Sequence, residues 1–226
     1  MAIWGLERRL AESRPQPTVA EKAAPFRREF DLVVLDLDGT ICLLDVTWED
    51  VKRQLVLIAS MHGLDTSGHR RVLPLLHAAR ASGSLDAVRE METFLEQAEL
   101  VGALSCLVNE SVIGWLEELP ASVPVAVLSL NCLRAVERAL QQAGLQWRIS
   151  DIVARENVDR PKPDPQGLQI LLERHAAEAT RALFIGDSRI DRACASAAGV
   201  AFRHVGELGI VWIDPRFPPS DADAVE

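Results

Sequence analysis

No stretch of this 226-residue chain approaches the roughly 20 consecutive apolar residues that a helix needs to cross a bilayer, so a membrane-spanning role is not expected. Long basic runs are missing too, and the formal net charge is -9. A nucleic acid or an anionic membrane surface is therefore not expected as a partner. Cysteine is sparse: Cys42, Cys106, Cys132 and Cys194 are scattered, with no close pair of the kind that brackets zinc or forms a redox motif. They read as reduced thiols of a cytoplasmic protein. The amino end, "MAIWGLERRLAESRPQPTVAEKAAPFRREF", has no apolar stretch between a basic start and a cleavage site, so no secretory signal is expected. Ile3, Leu6 and Leu10 are spaced for one helical face, and a short helix or frayed tail before Pro15 and Pro17 is the plainer reading beside a partner-docking arm. Internal repeats and low-complexity segments are also lacking. What remains is an ordinary globular composition, 48% hydrophobic and 25% charged, on a chain long enough to bury a sizeable core.

Five short apolar runs read as buried strands: "FDLVVLD" ending at Asp36, "VPVAVLSL" ending at Leu130, "ISDIVA" over 149–154, "RALFIGD" ending at Asp187 and "GVAFRHV" ending at Val205. Between the second and third, Leu133, Val136, Ala139 and Leu140 mark one face of a helix that Gly144 closes with a left-handed cap. Between the third and fourth, Asp164 and Pro165 form a cap and a first-turn proline ahead of Leu168, Leu171 and Leu172. Strands alternating with helices predict an α/β fold, a Rossmann-like doubly wound parallel sheet covered on both faces.

Residues 45–119 break that rhythm and contain no convincing strand. Trp48, Val51, Leu55 and Ile58 share a face after Thr47 as N-cap; Val72, Leu75, Leu76 and Ala79 share a second; Leu85, Val88, Met91, Leu95 and Ala98 mark a longer helix. A further helix from Val112 to Leu119 stops at Pro120. The expected organisation is an amino-terminal extension over 1–28, a catalytic core made of 29–45 and 117–226, and an inserted α-helical cap over 46–116.

Every unusual polar residue falls at the carboxyl end of an expected strand, where parallel α/β sheets bind ligands. Asp36 and Asp38 follow the first strand, Ser129 closes the second, Asp187 closes the fourth, and Asp191 lies one helical turn later. Lys162 sits in the proline-stiffened "RPKPDP" after the third. Four carboxylates, a lysine and a hydroxyl in one crevice suit a hard divalent cation holding a phosphate. One acid of the first pair can attack phosphorus and the other can move the proton, while Gly39 lets main-chain N–H groups approach a phosphoryl oxygen.

The set "DLDGT" at 36–40, Ser129, Lys162 in "KPDP" and "GDSRID" at 186–191 resembles, in order, the four motifs of the haloacid dehalogenase-like hydrolase superfamily, and the helical insert resembles the small cap of its phosphoglycolate phosphatase-like members. The resemblance spans about Phe30 to Val205. It implies Asp36 as nucleophile, Asp38 as general acid and base, and Ser129 and Lys162 as phosphoryl binders. Asp187 and Asp191 would hold Mg²⁺, with Asp36 and the main-chain carbonyl of Asp38 also touching it. Gly39, Thr40, Leu130 and Asn131 complete the expected substrate-binding set. Two departures stand out: Leu130 follows Ser129 where many relatives place Asn, which here is Asn131, and Ala195 replaces a common Gly.

The expected activity is hydrolysis of a small phosphomonoester, of the phosphoglycolate or sugar phosphate class, by a monomer or homodimer. A phosphomutase of the same fold, or a non-catalytic phosphate-binding regulator, are the alternatives, the second disfavoured because Asp38 has little use in mere binding. His62, His69, Arg70, Arg71, His77 and Arg80 make a basic stretch in the insert that suits either a substrate anion or a solvated helix face. Cys42 needs no role beyond packing, and Trp48, Trp115 and Trp147 read as core or rim.

Overall fold

Leu32–Leu35 forms strand β1 with all four side chains buried, as a run without alternation must when both faces of a sheet are covered. The computed structural model describes residues 30–68 and 71–208. The expected extension over 1–28, with Ile3, Leu6 and Leu10, lies outside them, as do His69 and Arg70. After β1 come β2 (Cys42–Leu43), helices α1 (Trp48–Met61), α2 (Val72–Ala81) and α3 (Leu85–Leu104), then β3 (Leu107–Val108) and α4 (Glu110–Glu118). The chain continues through β4 (Val125–Leu128), α5 (Leu133–Gln142), β5 (Asp151–Val153), α6 (Gln166–Arg174), β6 (Ala182–Gly186), α7 (Arg189–Ala198) and β7 (Ala201–His204).

Five strands form a parallel sheet in the order β5-β4-β1-β6-β7, so the winding reverses at β1, which pairs with β4 on one side and β6 on the other. Side chains along each strand alternate between the two faces. Val33, Leu35, Val125, Val127, Leu183 and Ile185 pack with Val112, Trp115 and Leu116 of α4 and with Ala135, Val136, Ala139 and Leu140 of α5. Leu32, Val34, Ala126, Leu128 and Phe184 meet Leu168 and Leu171 of α6 and Cys194 and Ala195 of α7 on the other face. The architecture is α/β and doubly wound, with Gly144 in the expected left-handed conformation (φ 65°) after α5.

The insert has an apolar centre of its own, where Val51, Leu55 and Ile58 of α1, Leu75, Leu76 and Ala79 of α2, and Met91 and Leu95 of α3 are buried together. Helix α4 packs on the sheet instead, so the expected boundary at 116 falls inside a helix of the sheet layer. The chain enters the insert through β2 and leaves through β3, and the two pair antiparallel, Cys42 opposite Val108 and Leu43 opposite Leu107. Strand β3 corrects the expectation that 45–119 holds none: two residues are too short to display a period. Thr47 does precede α1, but its side chain makes no cap bond. Helix α6 starts after Pro165, with Asp164 Oδ1 accepting the Gln166 N–H at 2.9 Å. Among the described residues no helix is long and apolar enough to cross a membrane.

Beyond the end of α4 the chain turns through Pro120 to Val123, and the nearly buried Arg148 ties this turn to the helix. Its guanidinium donates to the carbonyls of Val123 (3.0 Å), Pro120 (3.3 Å) and Leu116 (3.4 Å). Replacing Arg148→Met takes its donor from the Val123 carbonyl, while Leu116 and Pro120 keep the N–H groups of Leu119 and Val123, and an expected loss of about 2 kcal/mol should appear as a lower urea midpoint at unchanged denaturant slope.

Candidate active site

Because the strand order reverses at β1, a crevice opens beyond its carboxyl end, and the chain places its acids there. Asp36 follows β1 directly, its main-chain N–H donating to the carbonyl of Ile185 at 2.9 Å, so the first position beyond β1 is still tied to β6. Its carboxylate is nearly buried, and a buried acid must find a counter-charge.

Lys162 supplies it. Its Nζ donates to Asp36 Oδ1 at 2.7 Å, to Asp191 Oδ1 at 2.6 Å and to the Leu128 carbonyl at 3.1 Å, which uses all three ammonium protons. The Phe184 ring of β6 lies 5.5 Å from the same nitrogen, so the core supports the cation from below. The loop that presents Lys162 is braced by Arg160, whose Nε donates to Asp164 Oδ2 at 2.9 Å.

Asp191 is held by the start of α7. Ser188 is the N-cap: its hydroxyl donates to Asp191 Oδ2 at 2.5 Å and accepts the Asp191 N–H at 3.1 Å, while its own N–H reaches Asp191 Oδ2 at 3.2 Å. This reciprocal capping box turns the carboxylate toward Lys162. Asp187 is more exposed. Its carbonyl accepts a bond from His204 Nε2 at 2.8 Å, and because His204 Nδ1 accepts the Gly206 N–H, the ring carries its proton on Nε2. Gly39 has φ 92°, and a Cβ there would run into the Asp187 carboxyl group, so both the turn and the close approach require glycine.

Asp38 faces differently. Its Oδ1 accepts the Leu44 N–H at 2.9 Å, and the Trp48 indole also bonds it. The Ser129 hydroxyl donates to Asn131 Oδ1 at 2.9 Å and accepts the Asn131 N–H at 3.1 Å, so these two expected phosphate contacts are joined to each other. Leu130 and Asn131 line the cavity. Thr40 is fully buried and its hydroxyl has no partner, which places its side chain in the loop's interior; its carbonyl accepts from Asn109 Nδ2 at 3.1 Å, tying the loop to the chain leaving β3.

Four carboxylates against one ammonium leave an excess of three negative charges, and the proton equilibria respond. Burial above all, then the charges of Asp191 and Asp187, push the Asp36 carboxyl up to about 7 against the pull of Lys162. Burial raises Asp38 to about 6, with the Leu44 N–H opposing and Asp187 adding to the rise. Asp187 is raised by burial and then by Asp191. Burial disfavours the Lys162 cation, but Asp36 and Asp191 outweigh it and the ammonium is held more firmly than in water. Asp36, Asp187 and Asp191 each offer an oxygen within 4.8 Å of the others. An excess of hard oxygen donors at that spacing fits Mg²⁺. The Asp38 carboxylate stands outside this trio.

A cavity of about 810 Å³ covers these residues, with walls from both layers. From the insert, Trp48, Lys52, Arg71, His77 and Leu95 face it. The basic stretch read from the sequence is thus divided: Arg71 and His77 line the cavity, whereas His62 pairs with Glu90 at 2.9 Å and Arg80 with Glu92 at 2.6 Å. Trp48 is at the rim, Trp115 in the core and Trp147 in solvent. Sequence reasoning missed Ser188, His204, Trp48 as a partner of Asp38, and the Glu99–Arg155 pair; only Ser188 carried a readable signal, its capping-box spacing to Asp191.

A family model for haloacid dehalogenase-like hydrolases matches residues 33–205. A phosphoglycolate phosphatase of Rhodospirillum rubrum is 29% identical over 189 residues, 74% of this chain and 76% of that protein. One from Photobacterium profundum is 35% identical over 78 residues, so the match spans only 34% of each chain. Among solved structures, CbbY from Rhodobacter sphaeroides in complex with phosphate superposes with a TM-score of 0.55 at 19% identity, covering 77% of this chain and 85% of that one. At that identity the superposition speaks for the fold. With the family match extending over most of the sheet and insert, the chain belongs to the haloacid dehalogenase-like hydrolase family, and phosphoglycolate phosphatases are among its relatives.

Proposed function

We propose that this chain is a Mg²⁺-dependent phosphatase that hydrolyses a small phosphomonoester through a phosphoryl group carried on Asp36. The observation that supports this best is the division between the two acids beyond β1: Asp36 is bound to Lys162 at 2.7 Å, and Asp38 is turned away onto the Leu44 N–H. A carboxylate oxygen of Asp36 attacks phosphorus as the ester oxygen leaves, and Asp38 gives that oxygen a proton. Asp38, now a carboxylate, takes a proton from water, and the water oxygen displaces Asp36 from phosphorus. An acid raised to about 6 is suited to giving and taking a proton near neutrality. Lys162, and the N–H groups and hydroxyl of the Ser129–Asn131 loop, orient the non-bridging oxygens. Bound between Asp36, Asp187 and Asp191, Mg²⁺ would neutralise charge shared by these acids and the phosphoryl group.

The relatives' names support phosphoglycolate as a first substrate, and the cavity leaves room for a sugar phosphate as well. Arg71, His77 and Lys52 offer positive charge to the part of the substrate beyond the phosphoryl group. Four free cysteines suit a reducing compartment, and we place the protein in the cytoplasm.

Mg²⁺-dependent release of phosphate from an aryl phosphate tests the reading. EDTA should abolish it and Asp36→Asn should lower kcat by about 10³-fold or more; undiminished turnover by Asp36→Asn would remove the covalent step. The pH dependence has a definite sign. Without metal, Asp36 and Asp38 bind protons more tightly folded than unfolded, so the stability they contribute is full below about pH 4, the ordinary carboxylate value, and is lost as pH rises through about 6 to 7. A cation held by Asp36, Asp187 and Asp191 would offset the part of that loss that comes from Asp36. Mg²⁺ should therefore raise the melting temperature more at about pH 8 than at about pH 5.5, by roughly the tenfold gain in apparent affinity that each pH unit below 7 withholds. Equal shifts at the two pH values would count against Asp36 as a ligand.

A further inference from the structure

Away from the acids beyond β1 and β6, the described residues hold one further ion pair with both side chains buried. Glu99 of α3 and Arg155, in the 3₁₀ turn Arg155–Asn157 after β5, meet at 2.5 Å with side chains 2% and 6% exposed. Glu99 sits where α3 passes from the insert's centre, which takes in Met91 and Leu95, to the sheet's, which takes in Ala103. A buried ion pair is a poor source of stability, because desolvating two charges offsets most of their attraction and apolar side chains of similar volume do as well. The pair is better understood through what else it holds.

It holds a loop. The second oxygen of Glu99 accepts the Cys132 N–H at 2.8 Å. The Arg155 guanidinium donates to the Leu130 carbonyl at 3.1 Å, and the Arg155 main-chain N–H donates to the Asn131 carbonyl at 3.1 Å. Three successive residues, Leu130 to Cys132, are thus tied to two residues from different layers, Leu130 and Cys132 by the side chains and Asn131 by the Arg155 main chain. That segment carries Asn131 and adjoins Ser129, whose hydroxyl is bonded to both ends of Asn131. A second contact, Arg134 to Glu96 at 2.8 Å, joins α5 to α3 on the solvent side.

We propose that Glu99 and Arg155 are positioning residues through which the insert shapes the phosphate-binding loop. Seating α3 against the sheet brings Glu99 to Arg155 and to Cys132, and the peptides that carry Ser129 and Asn131 take their working orientation only then. The purpose given to the loop rests on the phosphatase reading above; the bracing of its main chain does not.

The test removes both charges at once, so that neither is left buried alone. In Glu99→Leu/Arg155→Met, with Glu99→Gln beside it to keep an acceptor for Cys132, two quantities are measured well below each melting temperature. The first is amide hydrogen exchange at Cys132; the second is kcat and KM on an aryl phosphate with saturating Mg²⁺, together with inhibition by inorganic phosphate. The double variant should exchange Cys132 at least about tenfold faster. Its kcat/KM should fall roughly 10²-fold, with kcat reduced as well as KM raised and phosphate inhibiting more weakly, as displacement of a positioned group by a fraction of an ångström to an ångström would produce. Glu99→Gln should fall between the two, and it decides by the same criteria if the double variant does not fold. A folded variant that keeps either its Cys132 exchange rate or its kinetic constants within about twofold of the wild type overturns the proposal, since a merely structural pair would lower the melting temperature and leave kcat alone. A wild type that neither cleaves an aryl phosphate nor binds inorganic phosphate defeats the phosphatase reading instead, and the exchange measurement then decides by itself whether the pair holds the loop.

Discussion

Carboxylates repel, and four of them meet beyond the carboxyl ends of β1 and β6. The ammonium of Lys162 makes that arrangement possible. Held at 2.7 Å from Asp36 and 2.6 Å from Asp191, it links an acid that follows β1 to one on α7, and the Leu128 carbonyl takes its third proton. Everything around the cation serves its placement: the braced loop that presents it, the Phe184 ring under it, and the capping box that turns Asp191 toward it. One positive charge falls short of four negative ones, an excess that a divalent cation at Asp36, Asp187 and Asp191 would reduce. Burial above all, with the neighbouring acids adding to it, keeps protons on Asp36 and Asp38 at a pH where free carboxyls have lost theirs.

Much of this was legible in the chain. Short apolar runs without alternation identify strands covered on both faces, and residues such as Asp36, Ser129 and Asp187 are conspicuous because polar groups at the ends of such runs need a reason to be there. Helical spacing recovered α1, α2 and α3 because each has an apolar stripe several turns long. The rest was hidden for reasons of range. Strand β3 has two residues and exists because β2 lies beside it, Cys42 opposite Val108 and Leu43 opposite Leu107, far apart along the chain. Glu99 reads as one more acid on a charged helix face until Arg155, 56 residues away, is brought against it. His204 gives no local sign that its ring will hold the Asp187 carbonyl.

The insert contributes to the site in two ways that differ physically. Arg71 and His77 face the cavity with Trp48 and can meet a substrate directly, whereas the neighbouring His62 and Arg80 spend their hydrogen bonds on Glu90 and Glu92 within the insert. The described residues of the basic stretch therefore divide between the cavity wall and ion pairs inside the insert. Glu99 of α3 instead holds main chain, accepting the Cys132 N–H beside the same cavity. The antiparallel pairing of β2 with β3 joins the insert's entry and exit, and the Asn109 side chain fastens that ribbon to Thr40 in the loop that carries Asp38.

The capping box at Ser188 has a consequence for reading genetic variation. Asp191 is at once the third residue of α7, closing the helix start with its own N–H and carboxylate, and a partner of Lys162 in the crevice. One side chain thus carries a duty to the folded chain and a duty to the chemistry, and a loss of activity on changing it does not say which has failed. Ser188 caps the helix and turns Asp191 toward Lys162 but carries no charge, so a lesion there loosens both arrangements while leaving the charge that a lesion at Asp191 removes.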